Sequence, residues 1–137
     1  MDNLFNELFF LFARAVNGEN FEYKVPIKNS SINSLSYKMS SYVSQHYEKV
    51  SLGDISKTFN ISQRQAQRIF KATFGISFMK RLYEIRIQNA KILLADSDLT
   101  ILEIANKVGF NSTSYFGKIF NEQEKITPNQ FRKKSRL

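Results

Sequence analysis

The chain has 137 residues, 42% apolar and 14% aromatic, enough for one packed domain and too apolar for general disorder. Its formal charge is +8, and the excess falls from Val50 onward, because basic and acidic side chains balance up to Lys49; such a distribution favours a polyanionic partner for the later part. The absence of cysteine excludes disulfides, Cys-ligated zinc and thiol catalysis.

The start, MDNLFNELFFLFARA, is acidic where a secretory leader needs basic residues. Its apolar run, Leu8 to Ala13, is far shorter than the roughly 20 residues of a membrane span. A cytoplasmic protein with no membrane partner is expected. Leu4, Phe5, Leu8, Phe9, Leu11, Phe12 and Val16 predict a short amphipathic helix over residues 3–16 with a wide apolar face. That face fits a helix docked on its own domain equally with a homodimerisation helix or the remnant of a sensor domain. Residues 17–34, rich in Asn, Ser, Gly and Pro, predict a loop and linker. Residues 1–31 are thus read as helix plus linker, and residues 32–137 as the main domain.

From Ile32 the apolar residues recur at three- and four-residue steps, predicting a first domain helix to about Lys49. Ser51 can cap a second helix ending near Asn60, and Ser62 a third ending at about Phe74, where Gly75 stops it. Ser77 can open a long helix to Ala95, about 28 Å at ~1.5 Å per residue. After a polar break, Thr100 and Ser112 can cap two more. Thr127 can cap a last one, with Pro128 at its first position. No segment alternates with period two, so the fold expected is all-α.

Two segments of this series repeat. Ser51 to Lys71 can be laid on Thr100 to Asn121: Leu52 meets Ile101, Asp54 meets Glu103, Ile55 meets Ile104, Ser56 meets Ala105 and Ile61 meets Phe110. After one inserted residue, Ser62 meets Ser112, Arg68 meets Lys118 and Phe70 meets Phe120. Repetition of caps and apolar sets together predicts two copies of a helix, a tight turn and a second helix, over about 51–74 and 100–124. Ser56 and Ala105 are small where the helices cross, Asn60 and Gly109 suit a turn with positive φ, and Ile61 and Phe110 plug the corners.

The outward residues on the second helix of each copy are polar, and from Ser62 to Lys71 none is acidic. Arg can bond guanine in pairs, Gln can do the same with adenine, and Thr or Ser can serve either base or meet a thymine methyl. A solvated amphipathic helix would mix in Glu for helical ion pairs. Asp54 and Glu103 read as helix-start charges. His46, the only histidine, has no partner for a metal, and there is no phosphate loop or catalytic triad pattern. Neither an enzyme nor a cofactor is expected. The terminal FRKKSRL reads as a frayed basic tail that adds non-specific attraction to DNA.

With these motifs in place, the chain resembles the AraC/XylS family of bacterial transcription regulators over about Ser34 to Leu137. The likeness rests on Ile101-x-x-Ile104-Ala105-x-x-Val108-Gly109-Phe110, Tyr115-Phe116, Phe120, Thr127-Pro128 and Phe131-Arg132. Upstream it adds Arg68-Ile69-Phe70-Lys71, Gly75-x-Ser77, Arg86, Ala90 and Leu93-Leu94. The resemblance implies a seven-helix domain whose long central helix joins two helix-turn-helix units, with two recognition helices entering adjacent major-groove segments of a promoter. It implies Arg64, Gln67 and Arg68, then Thr113, Ser114, Gly117 and Lys118, as base-reading residues. Ser62, Lys71, Lys107, Asn111, Ser112 and Lys125 are implied as phosphate contacts. RNA polymerase is implied as a protein partner.

Four positions depart from the family pattern: Phe78 and Arg81 stand where Pro and an aromatic are usual, Ala66 where Leu is usual, and Gly117 at a reading position. The first unit is therefore expected to supply most of the sequence discrimination. Two rival functions share the composition. One is a protein-binding adaptor of the same fold that regulates another transcription factor through the apolar N-terminal helix; the other is a basic domain for RNA or membrane. About 30 residues precede the domain, too few to enclose a small ligand, so the chain reads as a fragment of a longer regulator or as a short one without its own sensor.

Overall fold

Helix starts in this chain are set by hydroxyl side chains. A computed structural model describes residues 30–137; the predicted helix over residues 3–16 lies outside the described residues. The helices are α1 Ser30–His46, α2 Leu52–Phe59, α3 Gln63–Phe74, α4 Phe78–Asp96, α5 Ile101–Val108, α6 Thr113–Glu124 and α7 Pro128–Ser135. Every one from α2 onward follows a Ser or Thr whose side-chain oxygen accepts the backbone N–H three residues on: Ser51, Ser62, Ser77, Thr100, Ser112 and Thr127. Asp54, Gln65, Glu103 and Gln130 return a bond to the cap's own N–H, closing four capping boxes. Among the described residues all regular structure is helical, as the periodicity predicts.

The first helix differs from expectation at both ends. It starts at Ser30 rather than Ile32, and it stops at His46 rather than about Lys49. The stop has a cause: the Arg86 Nε–H of α4 donates to the Tyr47 carbonyl at 2.8 Å, taking an acceptor that a continuing helix would use. The chain then turns, with the N–H groups of Lys49 and Val50 both donating to His46 O. His46 itself lies against Tyr42 at an exposed edge, ring centroids 4.3 Å apart.

Apolar side chains gather in two clusters, and α4 serves both. Its first half sends Phe78 and Leu82 against Met39, Val43, Ile55, Ala66 and Phe70. Its second half sends Ile87, Ala90 and Leu94 against Ile104, Val108, Phe110, Phe116 and Phe120. Side chains on one helix separated by several turns can face two bodies in this way. Tyr47 packs against both clusters, at the seam. The result is an all-α domain of two helix-turn-helix units joined by α4.

The end of the chain corrects the expectation of a frayed tail. Residues 128–135 form α7, and Arg132 within it and Arg136 just after it turn inward to the end of α4 and the residues that follow. Arg132 Nε donates to Leu94 O at 3.2 Å and its Nη2 to Leu99 O at 2.6 Å. Arg136 donates to Ser97 O and to Asp98 Oδ1. The last carbonyls of α4 have no partner within the helix and sit at its negative pole, so guanidinium donors suit them.

Two measurements test this account. Gly109 has φ +107°, and a Cβ there would stand 2.4 Å from Glu48 O and 2.9 Å from Arg86 Nε. Gly109→Ala is expected to destabilise the fold by about 3 kcal/mol in chemical denaturation, since both the backbone conformation and the contact oppose it. Asp54 accepts from the Ser51 hydroxyl at 2.7 Å and the Ser51 N–H at 2.8 Å; these bonds, the hydroxyl first, hold its carboxyl below the ordinary 3.8. Its stabilisation is therefore present above about pH 4 and lost as pH falls through the lowered value. Asp54→Asn should flatten the stability profile on the acid side, as read by thermal melts over a pH series.

Candidate nucleic-acid interface

Both units turn their corner by the same backbone device. Asn60 (φ 54°) and Gly109 take the left-handed conformation. The Ile61 N–H then reaches back to Ser56 O at 3.1 Å, and the Phe110 N–H to Ala105 O at 2.9 Å, the bond of a Schellman turn. Ser56 has a second role that its smallness did not reveal, because its hydroxyl donates to Ile61 O across the corner. Phe110 is buried, and Ile61 is half-buried. A fixed corner gives each second helix a fixed exit angle, so the side that packs and the side that stays free are both determined.

On α3 the packed side carries Ala66 and Phe70, fully buried. Arg64, Gln67, Arg68 and Lys71 are exposed, and their spacing places them along one stripe. On α6 the packed side carries Phe116, Ile119 and Phe120. Ser114 and Lys118 are exposed, while Thr113 and Gly117 are half-buried. A Cβ built on Gly117 would meet nothing within 4 Å. The helix therefore presents a bare stretch of backbone between Ser114 and Lys118.

The remaining polar residues of the two units, Ser62, Lys107, Asn111, Ser112 and Lys125, are all exposed. Lys107 lies in the last turn of α5, and Lys125 is the left-handed cap ending α6, φ 66°. Three ion pairs occur among the described residues: Arg81–Glu84, Lys91–Glu124 and Arg136–Asp98. None uses Arg64, Arg68, Lys71, Lys107, Lys118 or Lys125. Their charge is left for solvent or a polyanion.

The two recognition-type helices differ at their starts. Ser62 accepts from the Gln65 N–H at 3.1 Å, and Gln65 Oε1 accepts from the Ser62 N–H at 2.9 Å. In the second unit Ser112 accepts from the Tyr115 N–H at 3.2 Å, but Tyr115 returns no bond to the cap, its hydroxyl being turned to Tyr83. The N-terminus of α6 thus keeps more of its N–H groups for an anion than does that of α3.

Tyr115 resolves as an edge residue that ties α6 to α4. Its ring meets Tyr83 edge-on at 5.8 Å, and the two tyrosine hydroxyls share a hydrogen bond of 3.3 Å. Tyr83 stacks on Phe110 at 5.6 Å. The bond to Tyr115, more than burial, pushes the Tyr83 phenol above 10.0. This bracket was not foreseen, because nothing in the spacing of Tyr83 and Tyr115, 32 residues apart, links them. Arg86 was also visible only as a motif position, without its partners at Tyr47 and Phe110.

Comparison with known proteins matches these features. A profile described as a helix-turn-helix domain matches residues 55–134. The chain is 33% identical over 120 residues to the uncharacterized HTH-type transcriptional regulator YdeC of Bacillus subtilis, covering 86% of this chain and 40% of that protein. It is 28% identical over 127 residues to the HTH-type transcriptional activator CfaD of Escherichia coli, covering 92% of this chain and 47% of that one. The chain thus spans less than half the length of these relatives. Among solved structures, the C-terminal domain of the response regulator AraT from Geobacillus stearothermophilus superposes with TM-score 0.72 and 30% identity, over 77% of this chain and 88% of that one. The DNA-binding domain of AdpA, solved in complex with a target DNA, shares the fold with TM-score 0.69 at 24% identity, over 74% and 92% of the two chains.

Gly117 generates a prediction about stability. Glycine inside a helix costs roughly 0.5–1 kcal/mol relative to alanine, and here alanine has room. Gly117→Ala should therefore raise the unfolding free energy by about that amount in denaturant titration.

Proposed function

This chain belongs to the AraC/XylS family of DNA-binding transcription regulators, and we propose that it reads a specific duplex by seating α3 and α6 in adjacent major-groove segments. The observation that carries the proposal is the duplicated corner. Two helices with buried apolar sides each leave a polar, basic side without ion-pair partners. In this reading Arg64, Gln67 and Arg68 contact base edges from the first unit, and Thr113, Ser114, Gly117 and Lys118 from the second. Ser62, Lys71, Lys107, Asn111, Ser112 and Lys125 hold phosphates, with the open start of α6 the stronger helix-end site. A domain of the same fold bound to target DNA supports this use of the scaffold.

The proposal extends to organisation. Residues about 51–74 and 100–124 act as the paired reading units, and the apolar residues between Leu4 and Val16 pair two copies of the chain. RNA polymerase at the promoter is the protein partner, and the bacterial cytoplasm the location.

Discrimination comes chiefly from the first unit, because α3 offers two arginines and a glutamine in one stripe whereas α6 offers one lysine beside a bare glycine. After selection of the preferred duplex from a random library, Arg64→Ala or Arg68→Ala is expected to cost roughly 1–3 kcal/mol and to relax specificity, with a smaller loss for Lys118→Ala. Affinity should fall with salt with a log-log slope of about −0.9 per phosphate contacted. Equal losses at the three positions in gel-shift titration would contradict the ranking. Equal affinity for random duplex, or none, would replace the proposal with the adaptor or RNA-binding reading.

A further inference from the structure

The second unit replaces one contact of the first with a contact of another kind. Gln65 of α3 and Tyr115 of α6 hold equivalent places, each three residues after its capping serine. Gln65 turns its amide back to Ser62 and closes a capping box. Tyr115 sends its hydroxyl away from the cap to that of Tyr83, 3.3 Å distant, so this helix start goes without the reciprocal bond.

The hydroxyl pair is open to solvent, and Tyr115 is 42% exposed. Rings hold the pair in place: Tyr83 stacks on Phe110 with planes 16° apart, Tyr115 meets Tyr83 at 72°, and Phe110 is the buried plug of its corner. Phenylalanine at either position would pack in the same way, so the rings do not require the hydroxyls. Nor is the bond between them strong, since 3.3 Å is long for two oxygens, which prefer about 2.7–2.8 Å. Each phenol carries one O–H, and the shared bond uses only one of the two. Among the described residues neither oxygen has another hydrogen-bond partner, so one donor is left facing solvent.

A cation stands one turn further along each helix, Arg86 beyond Tyr83 on α4 and Lys118 beyond Tyr115 on α6. A rigidly held surface O–H in such a field, beside an open helix start, suits an anionic oxygen. We propose that the Tyr115 hydroxyl, oriented by accepting from the Tyr83 hydroxyl, donates to a backbone phosphate of the duplex at the second unit. Each bond in this short chain polarises the next. The inference rests on the DNA-binding reading above and adds two residues to it: Tyr115, which touches the strand, and Tyr83, which positions Tyr115.

The test is titration of the full chain on its selected duplex and on versions in which single phosphates of the second half-site are replaced in turn by uncharged methylphosphonates. Tyr115→Phe keeps the ring and should weaken binding to the unmodified duplex about tenfold, the loss of one charge-assisted bond. At one position the methylphosphonate should cost the native chain about tenfold more than it costs Tyr115→Phe, a coupling that a mere brace between helices would not produce. Tyr83→Phe, which retains the stack on Phe110, should give a smaller loss of about threefold, coupled to the same phosphate, and serves as the check if Tyr115→Phe does not fold. Losses in the two variants that simply add to those of every methylphosphonate, or no loss in either, would overturn the proposal and leave the sequence-reading function standing. A native chain that binds no duplex would remove both.

Discussion

A single buried guanidinium holds the domain's three parts in register. Arg86 reaches from α4 to the Tyr47 carbonyl at 2.8 Å, and its guanidinium carbon lies 5.8 Å from the centre of the Phe110 ring. Burial pushes its pKa below the usual arginine value, a sign that the cation has exchanged solvent for these partners. The end of α1, the middle of α4 and the corner of the second unit are thereby joined at a point where the two apolar clusters meet. The relative geometry of the two helix-turn-helix units thus rests on a polar contact at the seam, with the oily cores on either side supplying cohesion.

That arrangement explains why the two units need not be equivalent. Each core is complete in itself, with its own buried phenylalanines, Phe70 in one and Phe116 with Phe120 in the other. What the units share is the corner and the cap. What they do not share is the outer surface: a row of long basic and amide side chains on α3, and a short polar surface with a free helix start on α6. The same scaffold therefore carries two outer surfaces that differ in side-chain length and charge.

Much of this was legible from the chain alone, for reasons that are local. Six hydroxyl caps, two stop residues at Gly75 and Gly109, and apolar residues at three- and four-residue steps each act within a few positions, and the helices follow them closely. The repeat exposed the outward stripes because packing on one side of a helix dictates the other. Apart from the Ser56 hydroxyl bond at the first corner and the start of α1, the features that escaped notice are long-range. Arg132 and Arg136 looked like solvated tail charges, yet their acceptors lie more than 30 residues upstream at the end of α4. Tyr83 and Tyr115 looked unrelated until the corner brought them together. The end of α1 was misplaced by three residues because the carbonyl that terminates it is claimed by a residue 39 positions later.

The two corners also differ in what their left-handed residue may be. At Asn60 the side chain is exposed, whereas at Gly109 the backbone oxygen of Glu48 occupies the space where a side chain would begin. A chimaera carrying the first unit twice would bring an asparagine to that crowded spot, although its hydrophobic pattern would fit. The duplication visible in the sequence has thus become irreversible at one atom, and the order of the two units along the chain is built into the joint between them.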